Sequence, residues 1–416
     1  MPTPHPTRTV LEHRMAVLEL VRPAPEVVLP VGEADGLVLA ADVVAATHVP
    51  PWDNSAMDGY AVRADDVAPA GDAPVRLAVV ADLPAGSGEQ VEVAPGTAAR
   101  IMTGAPVPRG ADAVVPVELT DGGTDAVEVR EPVARGAHVR RAGEDAAAGG
   151  VVLRAGTLLR PVHVAAAVAA GAGQVLVHRR PVVAVLATGS ELVAAGTVPG
   201  PGCIPDSNSH LLAAAVRSAG GTALRLDPVP DDPDALREVL VSLDGTVDLV
   251  LTSGGVSVGA YDVVKQVFVA WGSVGFARVA MQPGKPQALG TLPGGTPLVG
   301  LPGNPVSVHV SFEVFVRPAL RRLRGLVDED PASGAGTVTA VALEDWRSPA
   351  GRVQYMPVAL SRADGGLGAR PASRGGSGSH LVTGLARADG LAVVAAEVDA
   401  VRVGDVVTVM RSDLWD

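Results

Sequence analysis

The run Val182–Val183–Ala184–Val185–Leu186–Ala187–Thr188–Gly189–Ser190–Glu191 decides the fold. Its first part is apolar without alternation and rich in β-branched side chains. That pattern reads as a parallel strand buried on both faces. A glycine turn carrying hydroxyl and carboxylate groups follows at once. Downstream the rhythm repeats. Ser209–Ala219 reads as a helix, with Asp206, Ser207, Asn208 and Ser209 as cap candidates and Gly220–Gly221 as its stop. Leu224–Val229 reads as a strand, and Asp232–Pro233 opens a helix to about Leu243. Asp248–Thr252 and Thr296–Leu301 are strands, Asp262–Trp271 is a helix, and Pro305 begins a long helix to about Leu323. Strands alternating with helices predict βαβ units in a mostly parallel sheet.

In such a sheet, ligands bind beyond the carboxyl ends of the strands. The polar clusters of this region fall there: Thr188, Gly189, Ser190 and Glu191; Ser253, Gly254, Gly255, Ser257 and Gly259; and Pro302, Gly303, Asn304 and Pro305. Glycine turns leave backbone N–H groups free to cradle phosphate, and the hydroxyls of Thr188, Ser190, Ser253 and Ser257 add donors. Several such turns on one sheet edge point to a phosphorylated ligand. None matches the P-loop or dinucleotide fingerprints. Glu191, Asp206, Asp231, Asp232 and Asp262 bring hard oxygens to the same loops, a set that suits Mg2+. Asp232 reads as a helix cap, and Asp206 is open to that reading. Lys285, restrained by Pro283 and Pro286, either sets a cation against an oxyanion or sits solvated in a turn.

The rest of the chain is organised differently. Thr9–Leu20 and Asp35–Val43 read as helices, and Gly149–His178 returns to helix-like composition. Between them Val75–Val80, Gln90–Val93, Ala113–Val117 and Ala126–Val129 alternate with Gly, Pro and Asp turns, the pattern of an all-β module. The tail from Ala335 is again short strands and turns, with no helix beyond Ser379–Leu385, and reads as a small β-barrel.

Composition sets the outer limits. A chain of 416 residues accommodates several domains, and 47% hydrophobic against 19% charged residues supports packed cores. Aromatics are only 3%, so those cores are built from small and branched side chains. A net charge of −12 disfavours nucleic acid and anionic membranes. An anionic substrate then needs local basic groups, amides or a metal. Mean hydropathy is positive, yet Gly, Pro or charges interrupt every apolar stretch before the ~18–20 residues of a membrane span. With Cys203 as its single cysteine the chain can form no internal disulfide. The expectation is a cytoplasmic protein without membrane or nucleic-acid partners.

Several longer motifs carry a resemblance. Asp53–Arg63, Arg100–Pro106 with Gly110–Val115, and Arg141–Asp145 are similar to segments of the molybdopterin molybdenumtransferase family, which includes the E domain of gephyrin. So are Gly189–Glu191, the Ser253–Gly259 loop, Pro283–Pro286 and Leu301–Pro305. The resemblance implies a multidomain α/β-plus-β fold. Residues 1–47 and 146–180 would form a split helical dimerisation domain and 48–145 an inserted β domain. Residues 181–326 would form a three-layer α/β molybdopterin-binding domain and 333–416 a C-terminal small β-barrel. It implies a homodimer in which Asp58, Thr103, Arg140 and Asp145 face Glu191, Asp231, Asp262, Lys285, Pro302 and Pro305 across the subunit boundary. Ser377 or Ser379 would match the family's serine near the molybdate.

The implied reaction takes adenylylated molybdopterin and molybdate with Mg2+, held by Glu191, Asp231 and Asp262, and releases AMP. Molybdopterin adenylyltransferase and downstream molybdoenzymes are the implied partners. The sequence departs from the family at Gln282, where Lys is frequent, and at Pro357, where an Arg is frequent; Arg352 is the nearby candidate substitute. Two rival readings are an adenylyltransferase-type enzyme using ATP and a non-catalytic scaffold.

Overall fold

The computed structural model describes residues 7–256, 263–326, 336–363 and 365–414. Ser257, Gly259 and Asp262 lie outside the described residues. The chain divides into two compact units. One comprises Met1–Val27, Gly36–Val38 and His178–Asp416, the other Val28–Asp35 and Leu39–Val177.

The first unit is built on a seven-stranded sheet. Its strands are β1 (Thr7–Arg8), β2 (Val182–Ala187), β3 (Thr222–Arg225), β4 (Leu249–Ser253), β5 (Val274–Val279), β6 (Pro286–Thr291) and β7 (Pro297–Leu301). They lie in the order β1-β5-β6-β7-β4-β2-β3. The β3–β2–β4–β7 half is parallel, as the alternation of strands and helices predicts. The sequence reading missed β5 and β6, which are antiparallel to each other, with β6 antiparallel to β7.

The helices that pack about this sheet are α1 (Val10–Leu20), α2 (Asn208–Ser218), α3 (Pro233–Leu243), α4 (Val263–Trp271), α5 (Pro305–Ser311) and α6 (Arg317–Leu323). Successive strand residues point to opposite faces, and both faces are covered. Val183, Val185, Leu249, Leu251, Val299 and Leu301 share a core with Leu212 and Val216 of α2 and with Val306, Val308 and Val310 of α5. Ala184, Leu186, Val250 and Leu298 pack with Leu236 and Leu240 of α3 and Val264, Val267 and Phe268 of α4. Burial on both sides explains why β2 carries no polar alternation.

The single helix expected from Pro305 to Leu323 contains a π-helical turn, Phe312–Val316, between α5 and α6. Glu313 and Arg317 pair there at 2.6 and 2.9 Å, both buried. The tail forms the expected closed barrel: Val353–Ala363, Gly366–Pro371, Thr337–Ala342, Val406–Met410 and Gly390–Val394 pair in that order, and the last returns to the first.

The second unit holds a five-stranded sheet of Ala126–Val129, Val75–Leu83, Thr97–Ile101, Gly59–Val62 and Ala113–Pro116. Gln90–Val93 is not a strand; its one pairing is an isolated bridge from Glu92 to Arg109. Asp35–Val43 is not a helix. Gly36 turns the backbone at φ +75°, and the amides of Leu39 and Ala40 bond to the carbonyls of Thr157 and Leu176. Pro161–Ala169 is helical, with Pro161 at its first position. Among the described residues no helix is long and apolar enough to cross a membrane.

Candidate active site

β2 leads through α2 to β3 on one side, whereas the chain leaving β4 goes to strands on the other. The loops beyond β2 and β4 therefore flank the crevice where connections diverge, the usual ligand position of an open α/β sheet. A cavity of about 670 Å³ lies there. Thr188, Gly189 and Glu191 line it after β2, and Gly254 and Gly255 after β4. Pro302, Gly303 and Asn304 line it after β7, and Asp231, Lys285 and Ser379 complete the predicted set.

Close approach and a positive φ explain two of the glycines. Gly254 has φ +95°, and a Cβ there would stand 2.8 Å from the Thr188 carbonyl oxygen. Gly189 has φ +147°, and its Cβ would stand 2.5 Å from a carboxylate oxygen of Glu191. Only glycine lets the β2 and β4 loops meet at Gly254, and the positive φ of Gly189 favours glycine there.

Other predicted residues hold its walls, and Ser379 does so as well as lining the cavity. The Ser190 amide donates to the Asp231 carboxylate at 3.0 Å, and the Asp231 amide donates back to Ser190 Oγ at 3.0 Å. This reciprocal pair clips the β2 loop to the segment before α3. Ser253 Oγ accepts from Asn208 Nδ2 at 2.9 Å, and the same Asn208 nitrogen donates to the Gly303 carbonyl at 2.6 Å. Pro305 opens α5. Ser377 Oγ accepts from Gln354 Nε2 at 3.2 Å, and Ser379 Oγ accepts from Asn304 Nδ2 at 3.0 Å. Asp232 caps α3 as expected, accepting from the amides of Asp234 and Ala235. Asp206 accepts from the Ser209 amide at 3.0 Å and from its hydroxyl.

The sequence carries no signal for Ser307, marks Gln282 only as a departure from the family, and marks Asn208 only as a cap candidate. The Asn208 carboxamide crosses to two other loops rather than capping its helix. Gln282 and Ser307 line the cavity. Gln282 Oε1 accepts from Arg352 Nη1 at 3.2 Å, and the strand Met281–Gln282 pairs with Val353–Gln354. The spacing of Gln282 from Pro283 was visible; its partner, seventy residues on, was not.

Asp58, Thr103, Arg140 and Asp145 belong to the second unit, where pairing ties their segments together. Val139–Arg140 pairs with Asn54–Ser55, and the Ser55 amide bonds to the Ala105 carbonyl at 3.0 Å. The Asp145 amide bonds to the Val49 carbonyl at 3.0 Å. The amide and the hydroxyl of Thr103 both donate to Asp58 Oδ1 at 2.7 Å. These donations, the amide first, hold the exposed Asp58 carboxyl below its ordinary range, with Arg100 assisting. Asp58 is therefore an ionised acceptor at neutral pH, with Oδ2 outside that clip.

Three family models match in series. "MoeA N-terminal region (domain I and II)" covers residues 8–171, "Probable molybdopterin binding domain" 184–322, and "MoeA C-terminal region (domain IV)" 339–411. Molybdopterin molybdenumtransferase 2 of Mycobacterium tuberculosis is 44% identical across 98% of this chain and 99% of its own. Molybdopterin molybdenumtransferase of Bacillus subtilis is 36% identical across 86% and 83%. The crystal structure of the molybdopterin biosynthesis MoeA protein from Pyrococcus horikoshii superposes with a TM-score of 0.83 at 31% identity, covering 98% of this chain and 99% of that one.

Proposed function

Because this chain belongs to the molybdopterin molybdenumtransferase family, we propose that its cavity binds adenylylated molybdopterin and molybdate and transfers molybdenum to the pterin with release of AMP. The observation that carries the reading is the joint lining of one cavity by glycine turns from β2, β4 and β7 together with Lys285. The amides of Thr188, Gly189, Ser190 and Gly254 are spent on Ser253, Val229, Asp231 and Leu301, so the match to a phosphoanhydride and an oxyanion rests on Lys285 and the remaining groups of the turns. Lys285 offsets substrate charge. Asp58, held ionised by Thr103, supplies an acceptor that orients the attacking oxygen.

Mg2+ fits this donor set. Glu191 and Asp231 both line the cavity, and the Ser190 amide fixes one oxygen of Asp231. Among the described residues no cluster of three or more His, Cys, Asp or Glu has metal-holding geometry. Mg2+ needs fewer, since it takes one or two carboxylates and completes its shell with water and substrate phosphates. When bound it would offset pyrophosphate charge.

We further propose a cytoplasmic homodimer in which Asp58, Thr103, Arg140 and Asp145 of one protomer serve the cavity of its partner. AMP release from adenylylated molybdopterin, dependent on molybdate and Mg2+, tests the reaction. Consumption of ATP without it would favour an adenylyltransferase, and binding without turnover a scaffold. Mixing Asp58→Ala with Lys285→Ala tests the dimer. Each alone is strongly impaired, and mixed dimers regain part of the wild-type rate if the site is shared. No recovery after verified subunit exchange would refute sharing.

A further inference from the structure

The turn that presents Lys285 is tied down from beneath by a residue that does not line the cavity. Gln287, on β6, is fully buried. Its Nε2 donates to the Gly284 carbonyl at 2.7 Å and to Ser311 Oγ at 2.7 Å. Both carboxamide hydrogens are thus spent, while Oε1 has no partner. The orientation is fixed by chemistry: the reversed carboxamide would set oxygen against the Gly284 carbonyl.

The two bonds connect two walls of one site. Gly284 and Lys285 line the cavity, and Ser311 ends α5, whose first turn contributes Ser307 to the same cavity. The turn is pressed against its support. Gly284 has φ +108°, and a Cβ there would lie 3.1 Å from both Met281 Cε and Ser311 Oγ. On its other side the Lys285 carbonyl accepts from the Val279 amide at 2.8 Å. The backbone is held at both Gly284 and Lys285, which leaves the lysine side chain as the part turned to the cavity.

A buried amide oxygen without a partner works against stability. An apolar side chain of similar length would fill the space without that cost. A polar side chain retained at such a site is accounted for by what its donors hold.

We infer that Gln287 is a positioning residue: its carboxamide locks the Gly284–Lys285 turn to α5 and so fixes where the Lys285 cation meets the anionic substrate. The inference rests on the proposed reaction, and wild-type AMP release separates the two. Absent wild-type turnover refutes that reading, whereas wild-type turnover with unaffected Gln287 variants refutes only this one.

The test is Gln287→Met, with melting temperature and the kinetics of AMP release measured together. The expected result is a melting temperature lowered by at most a few degrees, the lost bonds to Gly284 and Ser311 being partly offset by relief of the buried Oε1, and a kcat/KM reduced about tenfold to a hundredfold, as when a charge shifts by about an ångström. In a Lys285→Ala background the same substitution costs nothing further, because the group it positions is gone. Ser311→Ala, which leaves the Gly284 bond intact, gives a smaller loss with the same dependence on Lys285 and decides the matter if Gln287→Met fails to fold. Gln287→Met or Ser311→Ala kinetics equal to wild type, or an equal loss with and without Lys285, would overturn the inference.

Discussion

The cavity of the first unit and the Asp58 segment of the second are held in shape by different means. Around the cavity, close packing and buried side-chain bonds hold the walls: Gly254 passes under Thr188, Asn208 ties two loops, and buried Gln287 ties the Gly284 carbonyl beside Lys285. Around Asp58 the fixing is local and exposed, one carboxylate clipped by one threonine. Burial makes the first region intolerant of small changes in shape. The second should tolerate changes in shape and respond mainly to loss of charge.

The largest effect should come from Lys285→Ala. It removes a cation at the cavity wall and should lower kcat/KM for AMP release by about a thousandfold, with little change in melting temperature. Asp58→Asn keeps the size of the side chain and removes the charge, and it should cost about a hundredfold. Thr103→Ser keeps both donors and should cost less than threefold by the same logic. If Asp58→Asn matched wild type, the contrast between the regions would lose its chemical meaning.

Gly254→Ala probes shape alone. Its left-handed backbone and the 2.8 Å approach to Thr188 should destabilise the first unit by about 2–3 kcal/mol, read by denaturant unfolding. Gly303→Ala is the control. Its Cβ would find its nearest atom 3.7 Å away, so stability should change by less than about 1 kcal/mol.

Acid should separate the regions further. His13 on α1 is fully buried, packs edge-on against Phe315 at 4.8 Å, and has no partner for either ring nitrogen. Burial, with Arg8 assisting, pushes its pKa down to about 4 from an ordinary 6.5. The folded state keeps His13 neutral while the unfolded chain takes up a proton, so stability present above pH 6.5 is lost as pH falls toward 4. The loss should reach about 2 kcal/mol at pH 5, and His13→Phe should abolish this component. The Asp58 clip stays ionised over that range, its carboxyl being held low. Hydrogen exchange followed by segment should therefore show the α1 region loosening before residues 54–58 and 103–106. Simultaneous loosening would remove the distinction.

Much of this was readable in the chain. β2, β4 and β7 announce themselves as apolar runs, and the glycine turns fall directly after them. Asp232 and Pro161 mark helix starts by local chemistry alone. The misreadings share a cause. Asp35–Val43 has helix-compatible composition, but distant carbonyls of Thr157 and Leu176 claim its amides. Gln90–Val93 has strand-like composition, but only Glu92 finds a bridging partner, at Arg109.

By itself, the sequence determined the periodicities, the turns and the inventory of groups at the sheet edge, because these depend on neighbours within a few residues. Only the tertiary structure decided which of those groups line the cavity and which brace it. Ser190 and Glu191 are adjacent in sequence, yet one bonds the segment before α3 and the other lines the cavity. Hydrogen bonds such as those of Asn208 to Ser253 and Gly303, and of Gln287 to Ser311, join residues that folding brings together from far apart, and their geometry is set by the packing of whole layers.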